Sequence, residues 1–280
     1  MINASYATLG FADCPLDAAL DAIAAAGFSQ TEILGQEPHL AVPPTGRALS
    51  LFRGGLEERG FRAWTVHAPM TRHVLGAPDE DWRRERVAVL AEYVRFAGGI
   101  DADKIVVHPV PNPCFVPDPQ NPTVPARIRE AVWRSMDDLD PVAREAGVQI
   151  LLENLPYCCD YPYLTMGELR PLVDAYPAAQ VGLALDTGHA WALRNDPAAE
   201  IRIAGARLGG THLQDVDYDR HNDDHWVPGQ GGLDWDAIRS ALSQVRYAGA
   251  WTFETVHERE GQTPEGLAHL TREVARAWGL

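Results

Sequence analysis

The 280-residue chain is almost without lysine: of its 24 basic residues, Lys104 alone is lysine and the rest are arginine. Schiff-base chemistry with a carbonyl substrate or pyridoxal phosphate needs an inward amine near the catalytic face. Lys104 opens the run KIVVHP, at the wrong end of its strand for that, so lysine-dependent aldolase and transaminase activities are disfavoured and no pyridoxal phosphate is expected. Cysteine is scarce as well. Cys14, Cys114, Cys158 and Cys159 show no CxxC or zinc-finger spacing, and the adjacent pair could bridge to itself only with strain, so reduced thiols are expected. No apolar run approaches the roughly 20 residues of a membrane span. The first residues, MINASYATLGFADCP, lack the basic start and apolar stretch of a secretory leader, and a cytoplasmic location is the expectation. A net charge of -15 leaves little to attract nucleic acid or anionic lipid. There is no Walker pattern, and neither a nucleotide nor a flavin is expected.

What is present is alternation. Apolar runs near residues 2–8 and in QTEILG, RAWTVHAP, KIVVHP, VQILLENLP, VGLALDTGHA, RLGGTHLQDV and GAWTFETV read as buried strands. Amphipathic stretches separate them: PLDAALDAIAAA closed by Gly27, then helices near 45–59, 79–96, 126–146, 166–176, 197–204, 235–244 and 264–277. Eight strands alternating with eight helices is the pattern of an α/β fold, a (β/α)8 TIM barrel, which takes about 250 residues as one unit. Residues 1–280 are therefore expected to form a single domain. The Pro-rich stretch VPNPCFVPDPQNPTVP reads as a loop over the mouth.

Successive runs end in residues that are costly to bury unless paired or coordinated: His67, His108, Glu153, Asp186, His212 and Glu254, with His189 three residues after Asp186. Strand ends of a barrel converge on its C-terminal face, where barrel enzymes keep their chemistry. Glu153, Asp186, His212 and Glu254, three carboxylates and an imidazole, suit a divalent ion such as Mn, Mg, Co or Zn with positions left for substrate oxygens. His67 and His108 are candidate ligands, substrate contacts or core histidines. His189 is a candidate for substrate or a separate ion. Asp223 and His225 stand two apart, so an extended backbone points both the same way. The PGQGGLDW stretch offers backbone N–H groups to an anionic or hydroxylated ligand. Phe11, Phe115, Tyr157, Trp191 and Trp226 are expected on mouth loops, as walls of a sugar pocket.

HAP, VHP, ENLP, LDTGH, THLQD, D-x-H-x-x-P-G-x-G and FE, in this order over most of the chain, resemble the xylose-isomerase-like superfamily of sugar isomerases and epimerases, related dehydratases and endonuclease IV. The resemblance to its epimerases implies one divalent ion at Glu153, Asp186, His212 and Glu254, substrate contact from His189, and proton exchange by Glu153 and Glu254 through an enediolate. The resemblance to endonuclease IV implies up to three zinc ions, with His67, His108, His189, Asp223 and His225 as further metal ligands. Gln230 departs from the Glu that many relatives carry in PGEG. A metal-dependent sugar or sugar-phosphate isomerase or epimerase is the leading expectation, with His67, His108, His189 and Trp226 as substrate-binding candidates. A trinuclear phosphodiesterase on abasic DNA, a dehydratase and a non-catalytic sugar-binding barrel are the alternatives. DNA binding calls for arginines on the mouth loops, where only Arg72, Arg194 and Arg220 stand out among many acids. Homo-oligomerisation is left open.

Overall fold

The computed structural model describes residues 3–70, 72–256 and 262–280. Eight parallel strands close into a barrel in chain order: β1 (Ala4–Ala7), β2 (Gln30–Leu34), β3 (Arg62–His67), β4 (Lys104–Val107), β5 (Gln149–Glu153), β6 (Val181–Asp186), β7 (Leu208–Leu213) and β8 (Trp251–Phe253). β8 returns to β1, with Thr252 opposite Ser5. Around the strands lie α1 (Leu16–Ala26), α2 (Gly46–Glu58), α3 (Glu80–Gly99), α4 (Val124–Ala146), α5 (Met166–Val173), α6 (Thr187–Ala192), α7 (Pro197–Ala204), α8 (Trp235–Gln244) and α9 (Pro264–Ala277). Ile33, Ile105, Ile150 and Leu183, fully buried, belong to the core shared by strands and helices. That leaves the alternate faces of the strands to the barrel interior, which explains why the runs are apolar throughout.

Two-residue periodicity positions the site. Val106, Leu151 and Ala184 form a small cluster separate from the main core. Two residues further along each strand, on the same face, stand His108, Glu153 and Asp186. The apolar residues fill the barrel axis and their successors reach its mouth. β7 follows suit by an irregularity: Leu183 of β6 pairs with Leu208 and Ala184 with Gly210, so Gly209 is extra and Gly210 and His212 take the inward face. A Cβ at Gly210 would lie 2.7 Å from Leu151 Cδ1, so a side chain there would displace the central leucine.

Several boundaries differ from the sequence expectation. Within the strand near 2–8, Ala4–Ala7 is extended, and residue 2 lies outside the described residues. α4 begins two residues early, α5 stops three early, and the Pro-rich loop carries a 3-10 turn at Pro113–Phe115. Residues Thr187–Ala190, read as strand, lie in α6. The Asp186 side chain accepts from the His189 backbone N–H at 2.7 Å and caps that helix, so the acid at the strand end also stops the strand.

Candidate metal centre

The mouth of the barrel brings nine of the expected residues together. Glu153, Asp186, His212 and Glu254 form one group of donor atoms lying within 4.8 Å of one another; His67, His108 and Glu153 form a second, His189, Asp223 and His225 a third, and His67, His212 and Glu254 a fourth that overlaps the first two. All four residues of the first group are buried. The third group is nearer to solvent, with the Asp223 side chain 27% exposed. A cavity of 300 Å³ opens onto the groups, lined by His67, His108, Glu153, His189 and Glu254 among others. That volume is at the small end of the range for ligand pockets.

The imidazoles are oriented from behind. His67 Nδ1 donates to the Ala68 carbonyl at 2.8 Å, His189 Nδ1 to the Asn154 carbonyl at 2.8 Å and His225 Nδ1 to the Glu254 carbonyl at 3.0 Å. A carbonyl only accepts, so each Nδ1 carries the proton and each Nε2 keeps its lone pair. His67 Nε2 lies 3.3 Å from Glu153 Oε2, and His189 and His225 Nε2 lie 3.2 and 3.3 Å from Asp223 Oδ2. His212 is reversed: Nε2 faces Glu32, and Nδ1 lies 2.8 Å from Glu153 Oε1 and 3.3 Å from Glu254 Oε2. His108 is buried, with Nε2 3.1 Å from Glu153 Oε2 and no partner on Nδ1. Imidazoles tethered by one nitrogen and pointing the other at carboxylate oxygens are the arrangement a metal site requires. The donor set fits a divalent cation.

Charge is concentrated here. Burial pushes the Glu153 carboxyl up, but the surrounding imidazoles of His212, His108 and His67 outweigh it and hold the group well below the usual carboxylate range. Burial wins at Glu254 and Asp186, whose carboxyls are raised despite the imidazoles of His212 and His189. Burial opposes protonation of His212, yet Glu254, Glu32 and Glu153 together raise it well above the ordinary value. A divalent cation held by these residues would offset the charge of the buried acids.

Three residues that sequence reasoning passed over complete the site. Glu32, in QTEILG, is 1% exposed and behind His212. Gln214, in THLQD, donates its amide to Asp186 at 3.0 Å and Asp223 at 2.7 Å, while its oxygen accepts the His225 N–H at 2.7 Å. Gly188 lets it in, since a Cβ there would overlap the Gln214 amide. Asp215 accepts from the backbone of Gly229 at 2.8 Å and Leu233 at 3.1 Å and from the Trp235 indole at 2.8 Å. The two backbone N–H groups from the Gly-rich PGQGGLDW stretch thus bind a carboxylate of the protein itself, which corrects the reading of that stretch as a ligand loop.

The aromatic wall is thinner than expected. Tyr157 lines the cavity, but Phe11, Phe115, Trp191 and Trp226 are not among its described lining residues. Phe11 is buried in the core against Tyr6, and Trp191 stacks on His221 away from the cavity wall. Trp226 pairs through its backbone with Asp215 in an isolated antiparallel bridge.

Comparison with known proteins places these features in a lineage. The curated relatives include y4fM of Sinorhizobium fredii, 29% identical over 64% of this chain and 56% of that one, so the match spans little more than half of y4fM. A probable endonuclease 4 of Heliobacterium modesticaldum is 27% identical over 78% of this chain and 77% of its own. A D-psicose 3-epimerase of Enterocloster bolteae is 33% identical over 45% and 40%. Among solved structures, a D-tagatose 3-epimerase-like protein superposes with TM-score 0.82 at 19% identity, covering 99% of this chain and 97% of that one. The 3-keto-D-glucoside 4-epimerase YcjR of E. coli gives 0.78 at 20%, covering 99% and 98%. At such identities the superpositions show the shared fold. The model of the xylose isomerase-like TIM barrel family matches residues 20–273, and the chain belongs to that family.

Proposed function

We propose that the protein is a divalent-metal-dependent sugar epimerase or isomerase. The observation that carries this reading is the placement of Glu153 and Glu254. They leave β5 and the end of β8, three strands apart around the ring, share one group of metal-ligand candidates, and both line the 300 Å³ cavity. A sugar carbon held between them has a carboxylate on each side. One carboxylate removes the proton next to the carbonyl and the other, in its protonated form, delivers one to the opposite face, which inverts that carbon; return by the same residue to the neighbouring carbon, with the hydroxyl proton passing to the former carbonyl oxygen, gives isomerisation. A divalent ion at Glu153, Asp186, His212 and Glu254 would supply polarisation of the substrate carbonyl and charge stabilisation for the enediolate. His67, His108 and His189, in the cavity wall, are the proposed substrate contacts; Trp226 has no part in this proposal.

The epimerase relatives support the reaction class. A second reading, an endonuclease IV-like trinuclear phosphodiesterase, is favoured by the three further ligand groups and by the probable endonuclease 4 among the relatives. Of the three arginines considered for DNA, Arg72 lies over Trp82 and Arg220 pairs with Asp217, and neither lines the cavity.

Solvent exchange separates the two. Incubation with a panel of ketohexoses, ketopentoses and their phosphates in D2O is expected to place deuterium on the carbon beside the carbonyl, read by proton NMR, because a carboxylic acid formed by abstraction exchanges with solvent. Cleavage of an abasic duplex without exchange on any sugar, with three zinc ions per chain by elemental analysis, would overturn the epimerase reading.

A further inference from the structure

We propose that Glu32 is the positioning residue of the metal centre: it accepts the Nε2 proton of His212 and so presents the Nδ1 lone pair of that ring to the metal. The inference rests on the metal reading above but not on the identity of the sugar.

The fold braces this carboxylate from the neighbouring strand. β2 and β3 run in register to Thr31 opposite Ala63; Glu32 then pairs with Thr65, so Trp64 is an extra residue in β3. Such a bulge re-aims the side chains beyond it. Its result is that Thr65 Oγ1 donates to Glu32 Oε2 at 2.6 Å, while the two Glu32 oxygens lie 3.1 and 3.2 Å from His212 Nε2. Thr65, Glu32 and His212 are each 1% exposed. Burying a carboxylate away from any cation is costly unless its partners repay the lost hydration. Glu32 belongs to none of the four ligand groups, and what lies in front of it is His212.

Its chemistry differs from that of the other outer partners. His67, His189 and His225 are each tethered by a neutral backbone carbonyl; His212 is tethered by a carboxylate. An anionic acceptor holds the ring proton on Nε2, fixes the ring plane, and makes Nδ1 a stronger donor than a carbonyl partner does. Nδ1 faces Glu153 Oε1 and Glu254 Oε2, the two carboxylates that sit with Asp186 in the first ligand group. His212 thereby becomes the firmest imidazole of the site.

The test is a competition titration of metal-free protein with Mn2+ or Zn2+ against a chromogenic chelator. Glu32→Gln, which keeps shape and loses charge, is expected to weaken binding about 10- to 100-fold. In a His212→Ala background the same substitution is expected to change the constant by less than about twofold, because its effect passes through that ring. A Glu32→Gln constant equal to wild type, or an equal loss in both backgrounds, would overturn the proposal while leaving the metal site standing; wild-type protein that takes up no divalent ion would sink the metal reading with it. If Glu32→Gln does not fold, the tautomer of His212 in zinc-loaded wild-type protein decides, read from two-bond proton–nitrogen NMR correlations. A proton on Nε2 supports the assignment and a proton on Nδ1 refutes it.

Discussion

The side-chain amide of Gln214 donates to Asp223 Oδ1 at 2.7 Å, so a residue just beyond β7 holds a carboxylate of the loop that follows it. The same nitrogen lies 3.0 Å from Asp186 Oδ1, and one amide thus spans two ligand groups. Because its oxygen accepts a backbone N–H, the amide cannot flip. Gln214→Leu leaves both carboxylates without that donor, and a loss of about 3 kcal/mol is expected in urea unfolding of the metal-free protein. A loss below about 1 kcal/mol would show that solvent replaces the amide.

Glu153→Gln and Glu254→Gln are each expected to abolish turnover and deuterium exchange with the fold retained by circular dichroism. Each removes a ligand charge and a proton carrier together, and loss of a placed carboxylate alone costs about 10² to 10⁴ in rate. Appreciable exchange in either variant contradicts the acid/base assignment.

His212→Ala is expected to lower affinity for the tightest metal ion more than His67→Ala does. His212 Nδ1 lies near both Glu153 and Glu254, whereas the Glu153 oxygen near His67 Nε2 is the one that also faces His108. Equal losses in the chelator titration would contradict the ranking.

Away from the site, Glu80 in the first turn of α3 receives Arg83 at 2.9 and 3.0 Å and Arg84 at 2.7 Å, and Arg83 also reaches Asp138 of α4 at 2.7 Å. Hydrogen bonds from Arg83, the largest cause, carry the Glu80 carboxyl from the usual 4.5 to about 2. A carboxyl depressed in the folded state stabilises above its unfolded pKa, and that contribution is lost as pH falls through the folded value. The gap in melting temperature between wild type and Glu80→Gln is therefore expected to be constant above about pH 5.5 and to close towards pH 2. A gap that is unchanged on acidification would mean that the pair contributes nothing beyond packing.

The ring of alternating strands and helices was legible because burial on both faces writes strands as apolar runs, and the ligand types were legible because each ends such a run where an ionisable group stands out. His67, His108, Glu153, Asp186, His212 and Glu254 were read from that pattern alone, and Asp223 and His225 from their spacing. Glu32 was not: it lies inside its run, and the Thr65 hydroxyl that holds it is brought onto its face by an extra residue, Trp64, in the neighbouring strand. Gln214 carries no charge and stands beside a histidine that drew the eye, and its role exists only where β6, β7 and a loop meet. Phe11 and Trp191 were misplaced for the same reason, since a position after a strand does not say whether Phe11 turns to the core or Trp191 to the loop beyond β7. Local sequence determines periodicity, and with it which strand ends carry donors. Closing the barrel brings side chains as far apart in the chain as Glu32 and His212 within 3.1 Å, and only that closure decided which nitrogen, which oxygen and which supporting residue face one another.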